Sequence, residues 1–172
     1  MKRFLLGATI FTSLMLPQAH AAEGDTAKAT LEGDGITGTV TMTETGSGIV
    51  LVVVDAKGVP AGTHGIHIHE TGKCDAADGF KSAGGHLARG LQHGLEVENG
   101  PHPGDLPNVH VQDDGVLQAE FFTRGFTLGT EGDQRLKDDD GSAVVLHAGA
   151  DDYKSQPSGD SGDRIACGVI SE

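Results

Sequence analysis

The segment Gly65-Ile66-His67-Ile68-His69-Glu70 alternates between apolar and polar side chains from Ile66 to His69. Such alternation predicts a β-strand, because successive side chains of a strand point to opposite faces of a sheet. Ile66 and Ile68 then face the core, while His67 and His69 share the other face, about 6–7 Å apart. Two imidazoles at that spacing can both reach one metal ion, although two unrelated surface histidines would give the same pattern.

Outward from this segment, further stretches rich in Val, Ile and Thr predict strands. They cover residues 37–45, 49–55, 116–122, 143–147 and 164–170. Gly46-Ser47-Gly48 lies between the first two and is typical of a hairpin turn. No stretch shows a sustained apolar stripe of helical period, so few or no long helices are expected. Short strands without helical crossovers predict an all-β fold with antiparallel pairing, either a sandwich or a barrel.

The composition bounds the classes of partner. The chain has 172 residues, of which 25 are acidic and 12 are Lys or Arg, and its formal charge is −13. A protein that binds nucleic acid generally carries a basic surface, and anionic membranes also attract basic segments. We therefore expect neither nucleic acid nor membrane as a partner. The nine histidines are the feature that most needs a cause.

The N-terminus has the pattern of a secretory signal peptide. A basic start is followed by a mostly apolar run of 13 residues, Phe4–Leu16, and by the cleavage pattern Ala19-His20-Ala21. An apolar run of this length is too short to span a bilayer, although an N-terminal anchor helix is an alternative. We expect residues 1–21 to be removed and residues 22–172 to form a single exported domain with a formal charge of −15.

The only two cysteines are Cys74 and Cys167, 93 positions apart. In an exported protein the compartment is oxidising, so the pair is predicted to form a disulfide rather than two free thiols. Two cysteines cannot build a four-thiolate zinc site. Any metal ion must therefore be bound by histidine and carboxylate.

Two stretches, residues 71–108 and 148–163, lack clear strands, and loops of such length are uncommon unless they are functional. The first contains His86, His93, His102 and Asp105, a set of four donors that suits zinc. His147 ends a predicted strand and could join His67 and His69 if the two strands are adjacent. Each loop histidine taken alone could equally be a solvated residue.

Several motifs, in this order, resemble the copper-zinc superoxide dismutases, most closely the bacterial periplasmic type. The resemblance covers roughly residues 28–171. Its motifs are His64-Gly-Ile-His-Ile-His-Glu70, Cys74, Ser82-Ala-Gly-Gly-His86, His102-Pro-Gly-Asp-Leu-Pro-Asn108, Val144-Val-Leu-His-Ala-Gly-Ala-Asp-Asp152 and Arg164-Ile-Ala-Cys-Gly-Val-Ile170.

This resemblance implies a Greek-key β-sandwich or flattened barrel. It implies two metal sites joined by His86, with copper bound by His67, His69, His86 and His147, and zinc bound by His86, His93, His102 and Asp105. It places Arg164 beside copper and implies that Asp151 links His67 to His93 and that Cys74 and Cys167 are bonded. His64 matches a structural histidine of the family rather than a ligand, and His20 and His110 match no functional position.

The activity that the resemblance implies is dismutation of the superoxide anion to O2 and H2O2 by a redox-cycling copper ion, in the periplasm. Members of the family occur as monomers and as dimers, so a homodimer is a further expectation. Residues 87–90 depart from the family's pattern, and the interval from His86 to His93 is one residue shorter than is typical. This departure bears most directly on His93.

Two other functions remain open at the level of sequence. One is a periplasmic copper- and zinc-binding or copper-delivery protein without turnover, because function depends on a site and not on a fold. That interpretation leaves Arg164 without a role. The other is a zinc hydrolase with an open coordination position, for which the sequence offers no clear general base.

Overall fold

A computed structural model describes residues 24–130 and 132–171. The expected signal peptide, residues 1–21, lies outside the described residues. The described residues form nine strands: β1 (Thr26–Gly33), β2 (Thr37–Glu44), β3 (Val50–Lys57), β4 (Gly62–His64), β5 (Ile66–His69), β6 (Val109–Val111), β7 (Val116–Thr123), β8 (Ala143–His147) and β9 (Arg164–Ser171). The helices of the described chain are two three-residue 3-10 turns, Ala76–Asp78 and Lys81–Ala83.

Seven strands form one curled sheet in the order β5-β8-β9-β1-β2-β3-β7, and β4 pairs with β6. Every pairing is antiparallel. The chain leaves the β1–β2–β3 meander, crosses to β4 and β5, and returns through β6 and β7 to pair with β3. This is the Greek-key, all-β architecture that the sequence predicts.

The strands lie close to the predicted positions, because their alternation matches the two faces of the sheet. The turn between β2 and β3 is confirmed: Thr45 N donates to Ile49 O at 2.9 Å, and Gly48 N donates to Thr45 O at 2.8 Å. The sequence pattern does not predict β1. Its inward residues include Ala27 and Ala29, whose small side chains have low strand propensity, and pairing with β2 and β9 on both sides makes the segment a strand.

One apolar core fills the space inside the curled sheet and includes Val40, Val52, Ile66 and Leu146, all fully buried. A smaller cluster around Val145 surrounds the disulfide. No helix among the described residues has the length and apolar character needed to cross a membrane.

The predicted disulfide is confirmed. Cys74 and Cys167 are bonded, with their Cα atoms 5.6 Å apart. Cys167 lies in β9, while Cys74 lies in the long segment 71–108. The bond therefore fastens the loop that carries three histidines to the centre of the sheet.

Candidate metal centre

The loop that follows β5 folds back onto the free edge of that strand. Leu87 N donates to Ile68 O, and Ile68 N donates to Gly104 O, both at 2.8 Å. Bridges of the same kind pair His69 with His86 and His67 with Asp105. Backbone hydrogen bonds thus place loop residues that are distant in the chain beside the two histidines of β5.

Four imidazoles meet at this edge: those of His67, His69, His86 and His147. One ring nitrogen from each lies within 4.8 Å of the corresponding nitrogens of the other three. All four residues are buried, with at most 6 % of their surface exposed. His147 joins the set because β8 pairs directly with β5.

The outer nitrogens of three of these rings are bonded, which fixes their orientation. His67 Nε2 lies 2.8 Å from Asp151 Oδ2, His69 Nδ1 lies 3.0 Å from Gly84 O, and His147 Nδ1 lies 3.3 Å from Gly162 O. Each of these acceptors requires an N–H on the outer nitrogen, so the inner nitrogen carries a lone pair.

The inner nitrogens are His67 Nδ1, His69 Nε2, His86 Nε2 and His147 Nε2. They are buried and make no hydrogen bond within the described part of the chain. Buried polar atoms are normally paired, so four converging unpaired nitrogens point to a group that all four would bind. Imidazole nitrogens without thiolate or carboxylate suit copper.

A second set forms around the carboxylate of Asp105. Its Oδ1 atom lies 3.0 Å from His86 Nδ1, 3.1 Å from His93 Nδ1 and 3.2 Å from His102 Nδ1. Donors about 2.0 Å from a tetrahedral zinc ion lie about 3.3 Å from one another. The observed separations are close to that value, so the three nitrogens and one oxygen fit zinc.

Backbone hydrogen bonds to the second oxygen of Asp105, Oδ2, fix the orientation of its carboxylate. Oδ2 accepts hydrogen bonds from the backbone N–H groups of Gly94 and His102 at 3.0 and 2.9 Å. Burial alone would raise the pKa of this carboxyl, but the hydrogen bonds from His102, His86 and Gly94 hold its pKa below the usual range. Asp105 is therefore an anion at neutral pH and can balance the charge of a cation.

Three imidazoles of the first set, those of His69, His86 and His147, are neutral at physiological pH. Burial, the largest cause, and neighbouring imidazoles together lower the pKa of His69 to about 2, of His86 to about 4 and of His147 to about 3. Protons therefore compete only weakly with a metal ion for the nitrogens that face the centre of the set.

His93 is held by residues from the segment 148–163. Its Nε2 atom lies 3.0 Å from Asp151 Oδ1, and the same carboxylate bonds His67 through Oδ2. Burial would raise the pKa of Asp151, but the hydrogen bonds from His67 and His93 lower it. The Gln156 side chain contacts the backbone of His93, a contact that no sequence motif indicates because 63 residues separate the two.

Arg164 lies at the rim of the first set and is partly exposed. Its Nη1 donates to Phe80 O at 2.6 Å and its Nη2 donates to Gly84 O at 2.7 Å. The guanidinium charge contributes to the lowered pKa values of His69 and His147, which places it within electrostatic reach of both. The bound carbonyl groups fix its plane and leave N–H donors that can meet an anion.

The remaining histidines lie outside both sets. His64 is buried, and its two ring nitrogens lie 2.8 Å from the carbonyl oxygens of His147 and Pro60. His110 is exposed on β6, with Nδ1 3.0 Å from Thr63 Oγ1. His20 lies outside the described residues.

Comparison with known proteins decides the family. The model of the copper/zinc superoxide dismutase family matches residues 36–170. The chain belongs to this family. It is 41 % identical over 170 residues to superoxide dismutase [Cu-Zn] 2 of Aquifex aeolicus, covering 96 % of this chain and 98 % of that protein. It is 45 % identical over 142 residues to the Caulobacter vibrioides superoxide dismutase [Cu-Zn], covering 80 % of each.

Solved structures agree with the sequence comparison. A superoxide dismutase-like protein of Bacillus subtilis superimposes with a TM-score of 0.78 at 34 % identity, covering 86 % of this chain and 99 % of that one. Copper and zinc are the metals of the copper/zinc superoxide dismutases, and the two donor sets of this chain fit that pair. The sets share one residue, His86, whose Nε2 faces the first and whose Nδ1 faces the second.

Proposed function

We propose that the protein dismutates superoxide, with copper bound by His67, His69, His86 and His147 and zinc bound by His86, His93, His102 and Asp105. The observation that carries this proposal is the sharing of His86: one imidazole supplies a nitrogen to each set. The second set has four protein donors, which is typical of a structural zinc site and leaves no open position for hydrolysis.

Copper held by His67, His69, His86 and His147 would supply one-electron redox chemistry for both superoxide anions. The task of Arg164 is to bind the anion. Because Phe80 O and Gly84 O hold two of its N–H groups, the guanidinium stays in one orientation beside His69 and His147. Arginine remains charged at any relevant pH, so this attraction does not depend on pH.

His86 moves a proton in this proposal. Two superoxide anions and two protons give one O2 and one H2O2. His86 Nε2 takes up one proton in the first half-reaction and delivers it to the reduced oxygen species in the second, while solvent supplies the other. Because Nδ1 belongs to the second set, 3.0 Å from Asp105 Oδ1, the ring would stay in place during both transfers.

The acidic surface does not oppose an anionic substrate at the site. Net charge and the local field are different quantities, and a channel lined by cations can focus a positive field within an acidic protein. Arg164 together with the cations of the two donor sets would supply that field. Steering of this kind is well known in the superoxide dismutases.

We propose further that residues 1–21 direct export to the periplasm and that residues 22–172 form one domain. The Cys74–Cys167 disulfide supports this proposal, because disulfides persist in oxidising compartments such as the periplasm. Mass spectrometry of protein recovered from a periplasmic fraction tests this. We expect a chain that begins at Ala22, whereas a full-length chain retained in the cytoplasm would contradict it.

Association into a homodimer is proposed through the outer face of β7. Phe122 is 72 % exposed there and lies opposite Leu51 of β3 in the sheet register. An exposed aromatic side chain offers a large apolar area that a second copy could cover. Sedimentation of wild type and Phe122→Glu tests this: we expect a dimer that the substitution dissociates, and an equal monomer in both contradicts it.

Stoichiometry of the products tests the proposed reaction. We expect protein loaded with both metals to convert two superoxide anions to one O2 and one H2O2, and His69→Gln to lose this activity in proportion to copper lost from the site. His110→Gln is the matched control because His110 is exposed and outside both sets. Copper binding without turnover would instead support a copper-binding or copper-delivery protein.

A further inference from the structure

The backbone of His93 lies in an irregular segment, where no strand supplies hydrogen bonds. Yet His93 is fully buried. A buried backbone N–H and C=O must find partners elsewhere. At this residue both groups are bonded by one side chain, that of Gln156.

Gln156 Oε1 accepts a hydrogen bond from His93 N at 2.9 Å, and Gln156 Nε2 donates to His93 O at 2.8 Å. The amide thus reproduces the two-bond pairing of neighbouring residues in an antiparallel sheet. Nε2 also donates to Lys154 O at 3.0 Å, which fixes the amide orientation. Only a side chain with a donor and an acceptor on one planar group can make both bonds.

The turn that presents Gln156 is itself braced. Asp152 accepts hydrogen bonds from the backbone N–H groups of Lys154 and Ser155 at 3.0 and 2.8 Å. The Ser155 hydroxyl and these N–H groups lower the pKa of Asp152 to about 2, so the brace is charged at neutral pH. Gln156 therefore projects from an ordered turn towards His93.

We propose that Gln156 is a positioning residue for the zinc site. Asp151 bonds the ring of His93, and Gln156 bonds its backbone. One loop therefore fixes both the ring and the backbone of the same residue. These contacts with Asp151 and Gln156 set His93 Nδ1 at 3.1 Å from Asp105 Oδ1, despite the short interval between His86 and His93. The inference rests on the proposed zinc site.

Hydrogen exchange in the metal-free full chain tests the two hydrogen bonds between Gln156 and the His93 backbone. Gln156→Met keeps the length of the side chain and removes both bonds, and we expect the His93 amide to exchange at least about tenfold faster. Gln156→Glu keeps the acceptor for His93 N and removes the donor to His93 O. It should therefore retain most of the protection. Gln156→Leu, which also removes both bonds, is the test variant if the Met variant does not fold.

Release of zinc to a chromophoric chelator tests the consequence. Removing a partner of a metal ligand typically costs 10–100-fold in metal affinity. We expect zinc to leave Gln156→Met about 10–100-fold faster than wild type, with a smaller change in Gln156→Glu. Cobalt placed in the zinc site should show an altered visible absorption spectrum in the Met variant.

Gln92→Met is the matched control, because Gln92 precedes His93 and its side chain is exposed. It should release zinc and exchange its amides as wild type does. Wild-type zinc release, cobalt spectrum and His93 exchange in Gln156→Met would overturn the inference and leave the proposed dismutation intact. Failure of the wild-type protein to take up zinc would overturn both the inference and the proposed zinc site.

Discussion

Replacement of Asp151 by alanine should loosen zinc more than copper. The carboxylate is 3 % exposed and accepts hydrogen bonds from His67 Nε2 at 2.8 Å and His93 Nε2 at 3.0 Å. Alanine leaves both buried N–H groups without their acceptor. Loss of such a partner lowers metal affinity by about 10–100-fold, which corresponds to about 1.4–2.7 kcal/mol.

The two histidines differ in what else holds them. His67 lies in β5, where it pairs with Val145 of β8, so its backbone stays fixed when the carboxylate is lost. His93 lies in a loop, where the Gln156 side chain and not a strand holds its backbone. Among the described residues, Asp151 alone fixes its ring from outside the second set. The full 10–100-fold loss is therefore expected for zinc, and a loss below about tenfold for copper.

Competition titrations with chelators, read by metal analysis of the protein, measure both affinities. Asp163→Ala is the control, since it removes the same charge from the same loop at an exposed position. Zinc affinity in Asp151→Ala within twofold of the control would refute this reasoning. A larger loss of copper than of zinc would show that the strand does not hold His67 as described.

Three further changes have definite expected outcomes. Arg164→Ala should keep both metals but lower the rate of superoxide consumption and its dependence on salt, because the cation that attracts the anion is gone; stopped-flow rates at several ionic strengths measure this. Cys74→Ser should lower the free energy of unfolding, because the bond closes a loop of 93 residues. The chain-entropy model gives a loss of about 4–5 kcal/mol for such a loop, and denaturant titration of the metal-free protein measures it. The metal-free protein should also lose stability as the pH falls below 6.5. The pKa of His86 is lowered to about 4 in the folded state, so the unfolded chain binds more protons in this range and acid favours unfolding. The loss from His86 alone is roughly 3 kcal/mol once the pH has fallen through that range, and thermal unfolding between pH 7.5 and 4 measures it.

The sequence is sufficient for strands with strong alternation or a high content of β-branched residues. β5 is predicted from its alternation, and β8 and β9 from their runs of β-branched and other apolar residues. β4 and β6 have three residues each, too few for a periodic pattern to be recognised. Their pairing comes from tertiary contact and not from local preference.

The candidate site is predicted as a set of residues with one of its supports, Asp151, which the family resemblance implies, whereas the contact of Gln156 with His93 is not predicted. His67 and His69 follow from alternation within one strand, whereas the placement of His93 depends on Asp151 and Gln156, 58 and 63 positions away. The short interval after His86 indicated a difficulty at His93 and contained no information about its remedy. A side-chain amide that pairs with a distant backbone leaves no periodic or motif signal in a sequence.

Decay of superoxide after pulse radiolysis, measured on protein with copper and zinc both confirmed by metal analysis, tests the proposed function most directly. A rate constant near the diffusional ceiling of about 10⁸–10⁹ M⁻¹s⁻¹, first order in copper-loaded protein, is the expected result. Decay no faster than in buffer, with both metals bound, would contradict dismutation and leave a metal-binding protein with the fold of an enzyme.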